Sequence, residues 1–197
     1  MVLVFGDETV DHEMEVVRVD ATTVDETARI PLGTSWAHTI VATDGRLVVL
    51  ESGPGATNAA GNAMVIDPDT NTVFRVKVPS EFVTPMPVLS RGQVWISTDQ
   101  GFARLDPEAV AFPYPVVTVP PRFSDCCGFV EADERGIWFI SPDPRGAGRV
   151  LNVFEPSTGK ASSLVVLDEG EPVAMAVSPN AVWILNYEGT LTHVELG

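Results

Sequence analysis

The sequence predicts an all-β protein, a β-propeller built from four-stranded antiparallel blades. Three observations carry that expectation. A short pattern recurs about every 45 residues, a tryptophan stands at the same place in three of the repeats, and 16 prolines and 16 glycines punctuate a chain with few leucine-rich helical runs.

The repeat is plainest in "RLVVLES" at 46–52, "QVWISTD" at 93–99, "GIWFISPD" at 136–143 and "AVWILNY" at 181–187, and "VLVFGDE" opens the chain in the same style. Its central apolar residue is Leu3, Val48, Trp95, Trp138 and Trp183, at spacings of 45, 47, 43 and 45. A second strand follows each and ends in an acid: "EVVRVD" at Asp20, "AMVIDP" at Asp67, "FARLDP" at Asp106, "LNVFEP" at Glu155 and "LTHVEL" at Glu195. Three of those acids precede proline, which suits a tight turn entered from an extended chain. A third strand comes next, as in "TARIPL", "TVFRVKV", "PVVTV" and "SSLVVL". One more precedes every marker strand but the first, as in "HTIVAT", "MPVLS", "GFVEA" and "PVAMAV". A lone four-stranded sheet cannot bury both faces, so neighbouring blades must cover it, and the recurrent tryptophan reads as blade-to-blade packing.

With strands called a to d outward from the central channel, the chain opens on a b strand and ends on a c strand. The whole of 1–197 then reads as a single propeller domain of about five units, near 1–33, 34–79, 80–119, 120–166 and 167–197, three complete and two partial. Either the partial units dock to close a five-bladed ring or the chain is part of a larger one, and the start on an inner strand favours the second. An open ring exposes an apolar blade face and is expected to self-associate.

Composition narrows the function. Net charge is −15 with 12 scattered Lys and Arg, which excludes the clustered cations that nucleic acid or an anionic membrane requires. Solubility through self-repulsion explains the acidity most simply, with cation binding as the sharper alternative. No window approaches a membrane span. "MVLVFGDETVDHE" lacks the basic start of a signal peptide, and no compartment is assigned.

"VVRVDATTVDETARIPLG", "VWISTDQGFARLDPEA" and "AVWILNYEGTLTHVE" resemble the repeats of bacterial YVTN- and NHL-type propellers, the broad group that includes streptogramin-lyase-like proteins. The resemblance covers nearly the whole chain and implies architecture more than activity. It implies rings commonly of six or seven blades. For the lyase-like members it implies histidine, glutamate and magnesium at the channel mouth. That motif does not map onto His12, His38 or His193. Lactonase-type members use channel acids and asparagines on a metal, and the a strands here hold few such residues.

The a–b turns, "TDGR", "SRGQ", "DERG" and "SPNA", are short and uniform, whereas the b–c loops range from "TDQG" and "NYEG" to "SGPGATNAAGN" and "SPDPRGAG". Variable loops on a rigid scaffold are where binding usually resides. The face they form carries the candidate ligand-binding residues Trp36, His38, Asp99, Asp125, Cys126, Cys127, Arg145, Asn186 and Tyr187, with Asp7, Glu8, Asp11, His12, Asp143 and Glu188 nearby. No catalytic set, cofactor or resident metal is read from it; a divalent cation stays open. "DPDTNT" has the alternating oxygens of a calcium loop but lacks its sixth-place glycine and twelfth-place glutamate, and reads as a turn. "DCCG" at 125–128 holds the two cysteines. They are small packed thiols in the simplest reading, a strained vicinal disulfide in the second, and part of a zinc site with His38 in the third. The expected function is a non-enzymatic scaffold that binds a protein or small ligand on this acidic face; the alternative is a metal-assisted lyase or lactonase-like enzyme at the channel mouth.

Overall fold

The structure, a computed structural model, describes residues 2–4, 14–33, 36–52, 61–79, 86–98, 100–119, 129–143, 145, 146, 148–167 and 170–196. Among them there is no helix, so none is long and apolar enough to cross a membrane. Eighteen strands form five antiparallel sheets, each a meander in chain order. Sheet 1 contains β1 (Val2–Val4), β2 (Met14–Val19) and β3 (Glu26–Gly33). Sheet 2 contains β4 (Trp36–Ala42), β5 (Leu47–Ser52), β6 (Asn62–Asp67) and β7 (Thr72–Lys77). Sheet 3 contains β8 (Pro87–Ser90), β9 (Gln93–Thr98), β10 (Gly101–Leu105) and β11 (Val117–Thr118). Sheet 4 runs through β12 (Val130–Ala132), β13 (Ile137–Pro142), β14 (Arg149–Glu155) and β15 (Lys160–Leu167). Sheet 5 is β16 (Pro172–Val177), β17 (Ala181–Asn186) and β18 (Leu191–Glu195).

The sheets pack on one another in the same order. Val16, Ile30 and Leu32 of sheet 1 meet Leu47, Val49, Met64 and Ile66 of sheet 2. The other face of sheet 2, with Val48, Leu50, Ala63 and Val65, meets Val94, Ile96 and Leu105 of sheet 3. Trp95 and Phe102 then pack on Phe139 and Phe154 of sheet 4, and Trp138, Ile140 and Leu151 pack on Met175, Val182 and Ile184 of sheet 5. Phe154 is the hinge of the third interface, stacked on Phe102 at 4.9 Å between ring centroids and edge-on to Trp95 at 5.6 Å.

This layering explains the local patterns. A strand covered on both sides has no need to alternate, so "LVVL" and "IWFI" are buried throughout. β17, with one covered face, alternates buried and exposed from Val182 to Asn186. Among the described residues no buried cluster joins sheet 5 to sheet 1.

The recurrent acid that closes each second strand has a local cause. Asp20 Oδ1 accepts the N–H groups of Thr22 and Thr23, Asp67 Oδ1 those of Asp69 and Thr70, and Asp106 Oδ1 those of Glu108 and Ala109. Glu155 accepts from the hydroxyls of Ser157 and Thr158. "DPDTNT" is one of these turns. Four residues past each acid the backbone turns left-handed, at Val24 (φ 62°), Asn71 (59°), Val110 (49°) and Gly159 (68°).

The same end of the stack carries an arginine across every interface. Arg18 donates to Pro68 O, and Arg46 pairs with Glu108 at 3.4 Å. Arg91 donates to Glu134 O at 2.7 Å, and Arg135 to Ser178 O and Pro179 O at 2.7 and 2.8 Å. Each link joins one sheet to the next in chain order.

Candidate functional site, the hairpin-loop end

The opposite end carries the long hairpin loops, and the buried polar side chains gather there. Among the described residues Glu51, Thr98, Ser141, Asp143, Asn152 and Asn186 are all buried here, and Ser90 is the buried polar residue at the arginine end. Four of the six share one position: Glu51, Thr98, Ser141 and Asn186 each lie three residues after Val48, Trp95, Trp138 and Trp183. At that point β5, β9, β13 and β17 reach their hairpin, and the polar group ties the strand to its neighbour.

The ties differ in chemistry. Glu51 accepts from Asn62 Nδ2 at 2.7 Å, with Arg75 Nε 3.8 Å away. Arg75 also donates to Leu32 O, so this tie extends to sheet 1. Thr98 Oγ1 accepts the N–H groups of Gln100 and Gly101 at 3.2 and 3.0 Å and closes the tightest loop. Asn152 donates to Ser141 Oγ at 2.9 Å and accepts from Ser163 at 2.8 Å, joining three strands. Asn186 Nδ2 donates to the hydroxyls of Thr190 and Thr192. A buried polar group without a partner is costly, and this row is paired throughout.

Beyond the row stand groups open to solvent. Asp143 is buried and accepts from Arg145, whose guanidinium lies 3.1 Å away and faces water. Hydrogen bonds that its guanidinium donates to Asp143, and then the Asp143 charge, raise the Arg145 pKa above the usual arginine value. Tyr187 is 78% exposed, and its N–H donates to Glu171 O at 2.7 Å. Gly170 lies against Asn186 so closely that a Cβ there would approach Asn186 Cγ to 2.9 Å. Glu131 on β12 reaches solvent, yet neighbouring protein displaces enough water to push its carboxyl above the usual range.

Of the residues singled out in the sequence, Asn186, Tyr187 and Arg145 stand at this end with described side chains. Trp36 and His38 belong to β4, where Trp36 pairs with Ser52 and Ala37 with Glu51, at the same end of sheet 2. Asp99, Asp125, Cys126 and Cys127 lie outside the described residues, as do Asp7, Glu8, Asp11 and His12. Glu51, Asn62, Thr98, Ser141 and Asn152 were missed by the loop-based reading. Glu51, Thr98 and Ser141 share only a constant offset from the marker residue, and Asn62 and Asn152 not even that. Among the described residues no three His, Cys, Asp or Glu side chains come together to hold a metal ion.

Fold and site define an all-β protein of stacked antiparallel meanders with a tied, loop-bearing end. No family model matches the chain, and no curated protein does. Solved structures do, 58 chains of them. The computationally designed Ika4 protein is 15% identical at a TM-score of 0.57, over 83% of this chain and 92% of its own. KlAtg21, solved in complex with the coiled coil of AgAtg16, is 13% identical at 0.55, over 77% of this chain and 48% of its own. The likeness is one of fold.

Proposed function

We propose that the five sheets are blades of a β-propeller of the YVTN/NHL-like kind, and that the protein is a non-enzymatic scaffold binding a protein or small ligand at its hairpin-loop end. The observation that carries this reading is the contrast between the two ends. One end is spent on holding sheets together, with an arginine across each interface and short turns capped by acids. The other holds loops of unequal length on a row of satisfied buried polar groups. Rigid supports beneath variable loops are how scaffolds present binding surfaces. Every polar group of that row is committed to a neighbouring strand, so the row supports and orients the loops and is not itself a reactive set.

A photo-crosslinking amino acid placed at Tyr187 and at Arg145, with Glu108 at the opposite end as control, tests the proposal. In extracts of the source cells, one discrete adduct at the first two positions and none at Glu108 is the expected result. Adducts of equal yield at both ends, or none at Tyr187 and Arg145, would overturn it. Electron micrographs test the propeller separately: blades fanned around an axial channel with the sheet 5 face left open are the expected result, and a filled, linear stack would sink that half.

A further inference from the structure

Four interfaces join the five sheets, and all are made alike. In sheets 2, 3 and 4 the second strand turns its marker residue toward the sheet that follows, so Val48, Trp95 and Trp138 are buried against sheets 3, 4 and 5, and Val16 and Ile30 of sheet 1 face sheet 2 in the same sense. Trp95 and Trp138 are each 4% exposed. Trp183 holds the same position in sheet 5 and is 39% exposed. Register lays out the face around it as two rows across three strands: Ala176–Trp183–His193 and Ala174–Leu185–Leu191. Leu185 and Leu191 are exposed as well, and Trp183 lies stacked on His193 with ring centroids 4.2 Å apart.

This is the fifth copy of a face that the protein buries four times. The corresponding outward face of sheet 1 is a poor cover for it. Val17 is flanked there by Arg29, which is ion-paired to both Glu15 and Glu26, and pressing that cluster onto tryptophan and leucine would strip its water. A second copy of the same face is a better match. Its centre offers apolar surface to apolar surface, with Glu195 at the edge of the face where it keeps its water, and Ala174 and Ala176 leave depth for the partner's tryptophan.

We propose that the β16–β18 face is a self-association surface, through which two copies of this chain pack across a two-fold axis with Trp183, Leu185 and Leu191 at its centre. Three strands about 4.8 Å apart and five or six residues long offer a footprint of roughly 300 Å² per copy. A standard stable interface uses about 800 Å² per partner. The association is therefore weak and reversible, governed by concentration. It is independent of the loop end, and either outcome leaves that reading untouched.

Sedimentation equilibrium on the whole chain, from about 5 to about 500 μM, tests it. The expected result is a weight-average mass that climbs from 21.1 kDa toward twice that value, and that stays at the monomer in Leu185→Lys and Leu191→Lys. Both leucines face water in the single chain, so circular dichroism and melting should match the wild type. A protein monomeric at the highest concentration would overturn the proposal. So would a dimer indifferent to both lysines. A dimer dissolved by Arg29→Glu as well as by the lysines would overturn it too, because that pattern requires sheet 5 to dock on the partner's sheet 1.

Discussion

Trp95 and Trp138 occupy the same place in successive sheets, are equally buried, and differ in one respect. Trp138 Nε1 donates to Asp133 Oδ1 at 3.1 Å, while Trp95 Nε1 is buried with no acceptor among the described residues. The cause is a single position. Five residues before Trp138 stands Asp133, and five before Trp95 stands Ser90, whose hydroxyl is given to Asp133 O. Replacing each indole by phenylalanine removes the same atoms, at a packing cost of about 2 kcal/mol, below the range for complete truncation. At Trp138 the change also removes a hydrogen bond to a carboxylate, about 1.5–3 kcal/mol. At Trp95 it removes an unsatisfied buried donor and recovers about 1–3 kcal/mol. The expected totals are about 4 kcal/mol lost for Trp138→Phe and near zero for Trp95→Phe. Urea unfolding followed by circular dichroism resolves a gap of that size, since extrapolation error is about 10–15% of a total near 5–15 kcal/mol. If Trp95→Phe costs as much as Trp138→Phe, the hydrogen-bond account of these two positions is wrong.

Three further expectations follow from the turns and strand contacts. Val24 is 76% exposed with φ at 62°, so Val24→Asn should raise stability by about 1 kcal/mol, whereas Val110→Asn, at the same turn position but packed on the interface between sheets 2 and 3, should not; paired melting curves decide it. Burial pushes the Asp133 carboxyl up, but bonds from Arg135, Trp138 and two backbone N–H groups outweigh it and hold the pKa below the usual aspartate value. That stabilisation is present above the unfolded value of about 3.9 and is lost as pH falls through the lower folded one, so Asp133→Asn should flatten the decline in melting temperature below about pH 5; an unchanged slope would contradict this. At Gly101, with φ at 146°, a Cβ would lie 2.1 Å from Val117 O, so Gly101→Ala should break the β10–β11 pairing and cost more than about 2 kcal/mol, read from the shift in urea midpoint.

Much of the fold was legible because its cause is local. The acid ending each second strand bonds to N–H groups two and three residues on, so Asp20, Asp67 and Asp106 could be read as turns from their neighbours alone. The paired row at the loop end was partly legible. Asn186 stood out beside Tyr187, but Thr98 and Ser141 look like ordinary strand residues until their partners Gly101 and Asn152 are brought across the hairpin. The arginines that cross the interfaces gave no sequence signal at all. Arg91 and Arg135 lie in turns that a sequence reader treats as solvated, and their acceptors are backbone carbonyls about 43 residues away.

By itself, then, the sequence determined the all-β class and the antiparallel order of strands, because alternation and turn chemistry act within a few residues and repeat at a fixed period. Only the tertiary structure decided which faces are covered. Trp95, Trp138 and Trp183 are indistinguishable as letters in a repeat, yet two are sealed between sheets and the third faces water. Burial depends on what stands across the gap, and that is a property of the stack rather than of any strand within it.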